Sequence, residues 1–133
     1  MGIGVDNSKG GSFKQQIQSC FEEKRFQEAV SLLTEAIDSE PENVENYVDR
    51  AHAFIQLKDL SSAMQDANIS LTYDDSFVKG YLVRASIHVS MGRHDQALED
   101  YRQIQQLQPC SENEKRISTV QNIIKSTSKL YCF

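Results

Sequence analysis

Ala29, Ala63 and Ala97 stand 34 residues apart, and so do Phe13, Tyr47 and Tyr81. Pro41 and Pro109 are separated by twice that interval, with Asp75 at the place between them. Leu33, Ala67 and Tyr101 share one phase of the period, and Phe26, Leu60 and His94 share another. A repeat of this length holds one supersecondary unit, which buries its apolar face only by stacking on its neighbours. From Phe13 onward apolar residues fall three and four apart, the helical spacing, and no strand-like alternation appears. At 133 residues the chain has room for about one domain, here an array of short helices.

An aromatic, a small residue, a second aromatic, then Ala and Pro on a 34-residue period is a tetratricopeptide pattern. On these residues the chain resembles the tetratricopeptide repeat (TPR) family over three repeats and a tail. The resemblance implies an all-α fold: a right-handed superhelix, or solenoid, of three antiparallel helix pairs with a seventh capping helix. First helices are expected at about 12–24, 44–57 and 78–91, and second helices at about 27–39, 61–72 and 95–107. The expected organisation is a flexible glycine-rich segment at 1–11 and a TPR domain at 12–129. Within the domain the repeats run about 10–43, 44–77 and 78–111, with a capping helix at about 112–128. A short tail, 130–133, is unassigned.

The residue types fit helix pairs. Ala51 and Ala85 supply the small position of a first helix, and Ala29, Ala63 and Ala97 that of a second. Phe26, Tyr47, Phe54, Tyr81 and Tyr101 fill the space between them. Gly92 suits a left-handed helix C-terminus. Pro41 and Pro109 stop the second helices. Ser111 to Glu114 reads as a capping box before the apolar face of Ile117, Val120, Ile123 and Ile124. Lys115, Arg116, Lys125 and Lys129 are expected on the outer side of that helix. Departures from the family pattern are Ile17 at a usually small position, Ser70 and Asp75 in the second repeat, and His94 at an aromatic phase.

Several function classes lack their signatures. Fourteen Lys and Arg against 19 Asp and Glu leave a net charge of −5, which argues against duplex binding. His52, His88 and His94 are scattered, and neither HExxH nor CxxC occurs, so no metal and no cofactor is expected. Cys20 reads as a small buried hydrophobe, and Asp74-Asp75 as a capping turn. Gly10-Gly11-Ser12 has neither the Lys nor the preceding strand of a phosphate loop. The chain is therefore expected to be no enzyme. No run of apolar residues is long enough to span a bilayer. Asp6 stands where a myristoylation signal needs Ser or Thr, and Cys132 is penultimate, which excludes a prenylation box. No apolar leader opens the chain, and three scattered cysteines suit a reducing compartment, so a cytoplasmic location is expected.

In the family the first helices line a concave face that binds peptides or partner helices. The resemblance places Lys14, Gln18 and Phe21 there from repeat 1, and Glu45, Val48, Asp49, His52 and Ile55 from repeat 2. Repeat 3 contributes Lys79, Leu82, Val83, Ser86 and Val89. Phe21, Val48, Ile55, Leu82 and Val89 are expected to form an exposed apolar patch. The implied function is a protein-interaction adaptor or scaffold holding a partner peptide or helix, with no nucleic acid or membrane partner. The alternative is a co-chaperone that grips the C-terminal carboxylate of a heat-shock chaperone. Lys14 and Lys79 match that clamp and Gln18 keeps an amide, but Asp49 and Val83 replace an Asn and an Arg. A carboxylate needs converging donors and no like charge, so the clamp is incomplete.

Overall fold

A computed structural model describes residues 13–130, with side chains through Thr127. The expected N-terminal segment and the last three residues lie outside this range. Seven helices and no strand are present among the described residues. They are α1 (13–22), α2 (Phe26–Ser39), α3 (Val44–Gln56), α4 (Leu60–Tyr73), α5 (Val78–Ser90), α6 (His94–Leu107) and α7 (Ser111–Leu130). Each helix from α2 to α7 packs on the next in sequence, and α3 also meets α5, so the first helices of successive repeats lie side by side.

The small residues perform the role their spacing suggests. Ala29, Ala51, Ala63, Ala85 and Ala97 have no exposed surface, which lets helix axes approach closely. Gly80 makes a close approach as well: a Cβ there would lie 2.8 Å from both Leu71 Cδ2 and Ser70 Oγ, so α5 sits directly on α4. The tyrosines on the period pin the connections between repeats. Tyr47 donates to the Pro41 carbonyl at 2.7 Å, and Tyr81 repeats the bond to Asp75 at 2.8 Å.

The turn inside each repeat also recurs. Lys24, Lys58 and Gly92, again 34 residues apart, all have positive φ (60°, 67° and 75°). Only the glycine was legible as a left-handed residue; the two lysines take the same conformation without its freedom. Asp59 caps α4 by accepting from the Ser62 N–H, and Asn43 caps α3 by accepting from Glu45. Asp74 accepts from the backbone and hydroxyl of Ser76 in the α4–α5 turn.

Two buried ion pairs clip the array together. Arg50 makes a bidentate contact to Asp66 (2.8 and 2.7 Å) and also donates to Thr34 Oγ1 at 3.1 Å, tying α3 to α4 and to α2 of the preceding repeat. One period later Arg84 binds Asp100 (3.0 and 2.7 Å) and Asn68 (3.0 Å). Repeat 1 has Gln16 and Leu32 at the corresponding positions and lacks the clip.

The capping box expected at Ser111 is not formed. Ser111 is already helical, and the Cys110 N–H donates to Gln105 Oε1 of α6 at 3.3 Å. The α6–α7 connection, Gln108–Cys110, is one residue shorter than Glu40–Asn43 or Asp74–Phe77. That deletion turns α7 out of the strict period: Asn113 and Val120 become buried, at the places that Gly80 and Ile87 hold in α5.

Candidate functional site

The face shared by α1, α3 and α5 carries three adjoining cavities. The first, about 440 Å³, is lined by Lys14, Ile17, Gln18, Phe21, Glu45 and Asp49 among others. The second, about 480 Å³, lies between Phe21, Lys24, Phe26, Asp49, His52 and Gln56. The third, about 340 Å³, is bounded by His52, Lys79, Leu82, Val83, Ser86, Tyr101 and Arg116. The shared residues Asp49 and His52 make the three into one continuous trough. Ten of the thirteen residues expected on this face line it; Val48, Ile55 and Val89 do not.

Two residues expected on this face lie beneath it, and for Val48 the expected exposure is corrected. Val48 and Val83 are only 2% and 1% exposed and belong to a core cluster with Ala51, Ala63, Ala67 and Ile87. Val83 thus forms the floor beneath a cavity, and Val48 is pure core. Position 49 and its repeat mate 83 straddle the core boundary, where Asp stays at the edge and Val sinks beneath it. Ile55 packs, half-buried, against the same cluster, and Val89 is half-buried. The apolar patch is therefore smaller than expected: Phe21 and Leu82, both half-buried, are its members within the trough.

Eight residues of the trough were not among those expected there: Ile17, Lys24, Phe26, Asn43, Asn46, Gln56, Tyr101 and Arg116. Arg116 was expected on the outer side of the last helix, yet it lines the third cavity. The shortened connection before α7 brings it round to the phase that Asp49 and Val83 occupy in α3 and α5. The spacing between Pro109 and the helical run after it held this signal.

The trough mixes charges. Lys79 Nζ lies 3.5 Å from Glu45 Oε1 across α3 and α5. Gln18 donates to Glu22 within its own helix at 3.0 Å. Burial raises the Asp49 carboxyl above its ordinary value; Glu45 adds to this, while His52, Lys79 and Lys14 oppose it. Desolvation lowers the His52 imidazole from its ordinary value, with Asp49 opposing and Lys79 adding to the shift, although the side chain keeps an exposed edge. Among the described residues no cluster of three or more side chains suited to a metal occurs.

The Asp49 shift has a testable sign. A carboxyl with a raised folded-state pKa favours folding while protonated and loses that contribution as pH rises through the folded pKa. Asp49→Asn is expected to raise the melting temperature at pH 7, and the gain should vanish as pH falls below the carboxylate range. Thermal melts of both proteins from pH 3 to 7 check this; a variant less stable at neutral pH would contradict it.

Sequence comparison finds tetratricopeptide repeat profiles matching residues 21–65 and 78–109, together more than half of the chain. Human RNA polymerase II-associated protein 3 is 28% identical over 108 residues, covering 81% of this chain and 16% of its own length. Hsp70-Hsp90 organizing protein 3 of Arabidopsis thaliana is 33% identical over 98 residues, covering 74% of this chain and 16% of its own. The chain thus spans about one-sixth of the length of these curated relatives. Among solved structures, the first TPR of Spaghetti (RPAP3), bound to the HSP90 peptide SRMEEVD, superposes with a TM-score of 0.80 at 23% identity, covering 89% of this chain and 97% of that one. No helix of the described residues is long and apolar enough to cross a membrane. With a 34-residue period, three helix pairs followed by a last helix, and two repeat profiles matching more than half of its length, the chain belongs to the tetratricopeptide repeat family.

Proposed function

We propose that the chain is a protein-interaction module, not an enzyme, that holds a peptide or helix of a partner protein in the trough of α1, α3 and α5. The observation that carries this reading is one continuous concavity in which half-buried Phe21 and Leu82 lie among Lys14, Glu45, Asp49 and Lys79. Apolar anchors supply most of the binding energy at such a surface, and the surrounding charges set orientation. The three repeats and α7 act as one unit in this reading. Its setting is the cytoplasm, where the unpaired thiols of Cys20 and Cys110 are at home.

A second reading has a specific observation in its favour. A TPR of the same fold was solved with an HSP90 peptide bound, and Lys14 and Lys79 stand on one face here. Against it, Asp49 opposes an incoming carboxylate, and the buried Val83 supplies no donor. An internal motif or helix is therefore preferred over a free C-terminus.

The test is capture of partners by the purified chain, repeated with Leu82→Asp, and binding of the recovered partner in purified form. Loss of binding with unchanged circular dichroism is expected. Val48 is unsuitable for this purpose, because a charge at a buried core position would unfold the protein. Partners retained in full by Leu82→Asp would overturn the proposal. A partner that requires Lys14, Lys79 and its own free carboxylate would establish the second reading instead.

A further inference from the structure

The two ends of the trough differ in charge, and this sets what a bound segment must present. In the α1–α3 cavity Lys14 shares the wall with Glu45 and Asp49. In the α5–α7 cavity Lys79 and Arg116 stand with the donors Ser86 and His52, and no carboxylate among the described residues lines it. A cationic hollow on a chain of net charge −5 runs against the chain's overall potential.

Arg116 is held in place for such a role. Its Nη1 donates to Asn113 Oδ1 at 3.2 Å, and Asn113, buried, donates in turn to the Gln108 carbonyl at 3.0 Å. Its one carboxylate contact, Glu112 at 3.8 Å, is a long pair with an exposed partner. A guanidinium carries five N–H donors, so capacity remains for a bidentate acceptor. Lys79 is likewise in a long, exposed pair with Glu45. Such pairs contribute little and yield readily to a better acceptor. Leu82 and Tyr101 form the apolar wall beside the two cations.

We propose that this cavity is a subsite for an acidic side chain of the bound segment, a glutamate whose carboxylate meets Arg116 and Lys79 and whose methylenes lie on Leu82 and Tyr101. The proposal rests on the trough being the binding face, and it makes Arg116, on the last helix, a specificity-determining residue. The acidic group is recognised as a side chain, so a free chain terminus is not required.

The probe is the heptapeptide SRMEEVD with its C-terminus amidated, titrated into the full chain by calorimetry, beside the same peptide with both glutamates replaced by glutamine. Arg116→Gln is expected to weaken the glutamate peptide about tenfold, the loss of a charge-assisted hydrogen bond. Arg116→Lys should recover part of that loss, and the glutamine peptide should bind wild type and Arg116→Gln alike. Lys14→Ala should change the glutamate peptide much less. Equal binding of the glutamate peptide by wild type and Arg116→Gln, or no binding of it at millimolar concentration, would overturn the subsite. A partner lost with Leu82→Asp yet fully retained by Arg116→Gln would overturn the subsite and leave the trough standing.

Discussion

Asp66→Ala is expected to destabilise the fold by about 3 kcal/mol, more than any surface substitution would, and to lower the melting temperature by roughly 10 °C. The Asp66 side chain is 3% exposed and the Arg50 side chain 18%, so truncating the acid strands a guanidinium where little water reaches it. Arg50 also holds Thr34 of the preceding repeat, so its displacement loosens three helices at once. Replacing both partners by apolar residues, Arg50→Met with Asp66→Leu, should cost much less, because no charge is left buried. Denaturant unfolding of the two variants checks this. A double variant as unstable as Asp66→Ala would mean that the pair contributes by shape and not by charge compensation.

Removal of α7 has the other large effect. Truncation after Pro109 takes away buried Val120 and Asn113 and the half-buried Ile117, Ile123 and Ile124, which cover α6. A stacked array needs a terminal element with a polar outer side, since each unit buries its apolar face only against a neighbour. The truncated chain is expected to aggregate or to melt far below the full chain. Size-exclusion chromatography with light scattering and a thermal melt decide the matter; a monomer of undiminished stability would show that α7 is no cap. With the proposed subsite, α7 serves binding as well, through Arg116. The opposite end of the array is managed differently. Gln15, Gln16 and Ser19 take the places that Asp49, Arg50 and Ala53 hold in repeat 2, and Gln15 and Gln16 are exposed.

The helices were legible because two independent signals agreed. The period fixed where units begin, and the alanines at 29, 51, 63, 85 and 97 fixed which faces cross. What resisted reading was orientation at the margins. Positions 48 and 49 are about 100° apart on a helix, so both cannot face the trough equally. Which of them sinks depends on the neighbours: Val48 joins a buried cluster with Ala63 and Ala67 of α4, an arrangement that spacing alone does not reveal. Arg116 was misplaced for a different reason. It was assigned to the polar side opposite Ile117, Val120, Ile123 and Ile124 of its own helix, and the packing of α7 on α6 brings that side round to the third cavity. The Arg50–Asp66 and Arg84–Asp100 clips were present in the sequence as two acid–base pairs, each 16 residues apart and 34 residues from one another. Their burial makes them the main polar element of the fold, and burial is a property of the packed array.

The central claim is that a partner segment occupies the trough and meets Arg116 at its far end. Backbone amide and arginine side-chain shifts of the isotopically labelled full chain, followed during titration with the captured partner's binding segment, test it most directly. The account predicts perturbations along α1, α3 and α5, the largest near Leu82, together with a shift of the Arg116 Nε–H signal and little change on α2 and α4. Perturbations concentrated on α2, α4 and α6, with Arg116 silent, would place the partner on the opposite surface and contradict the account.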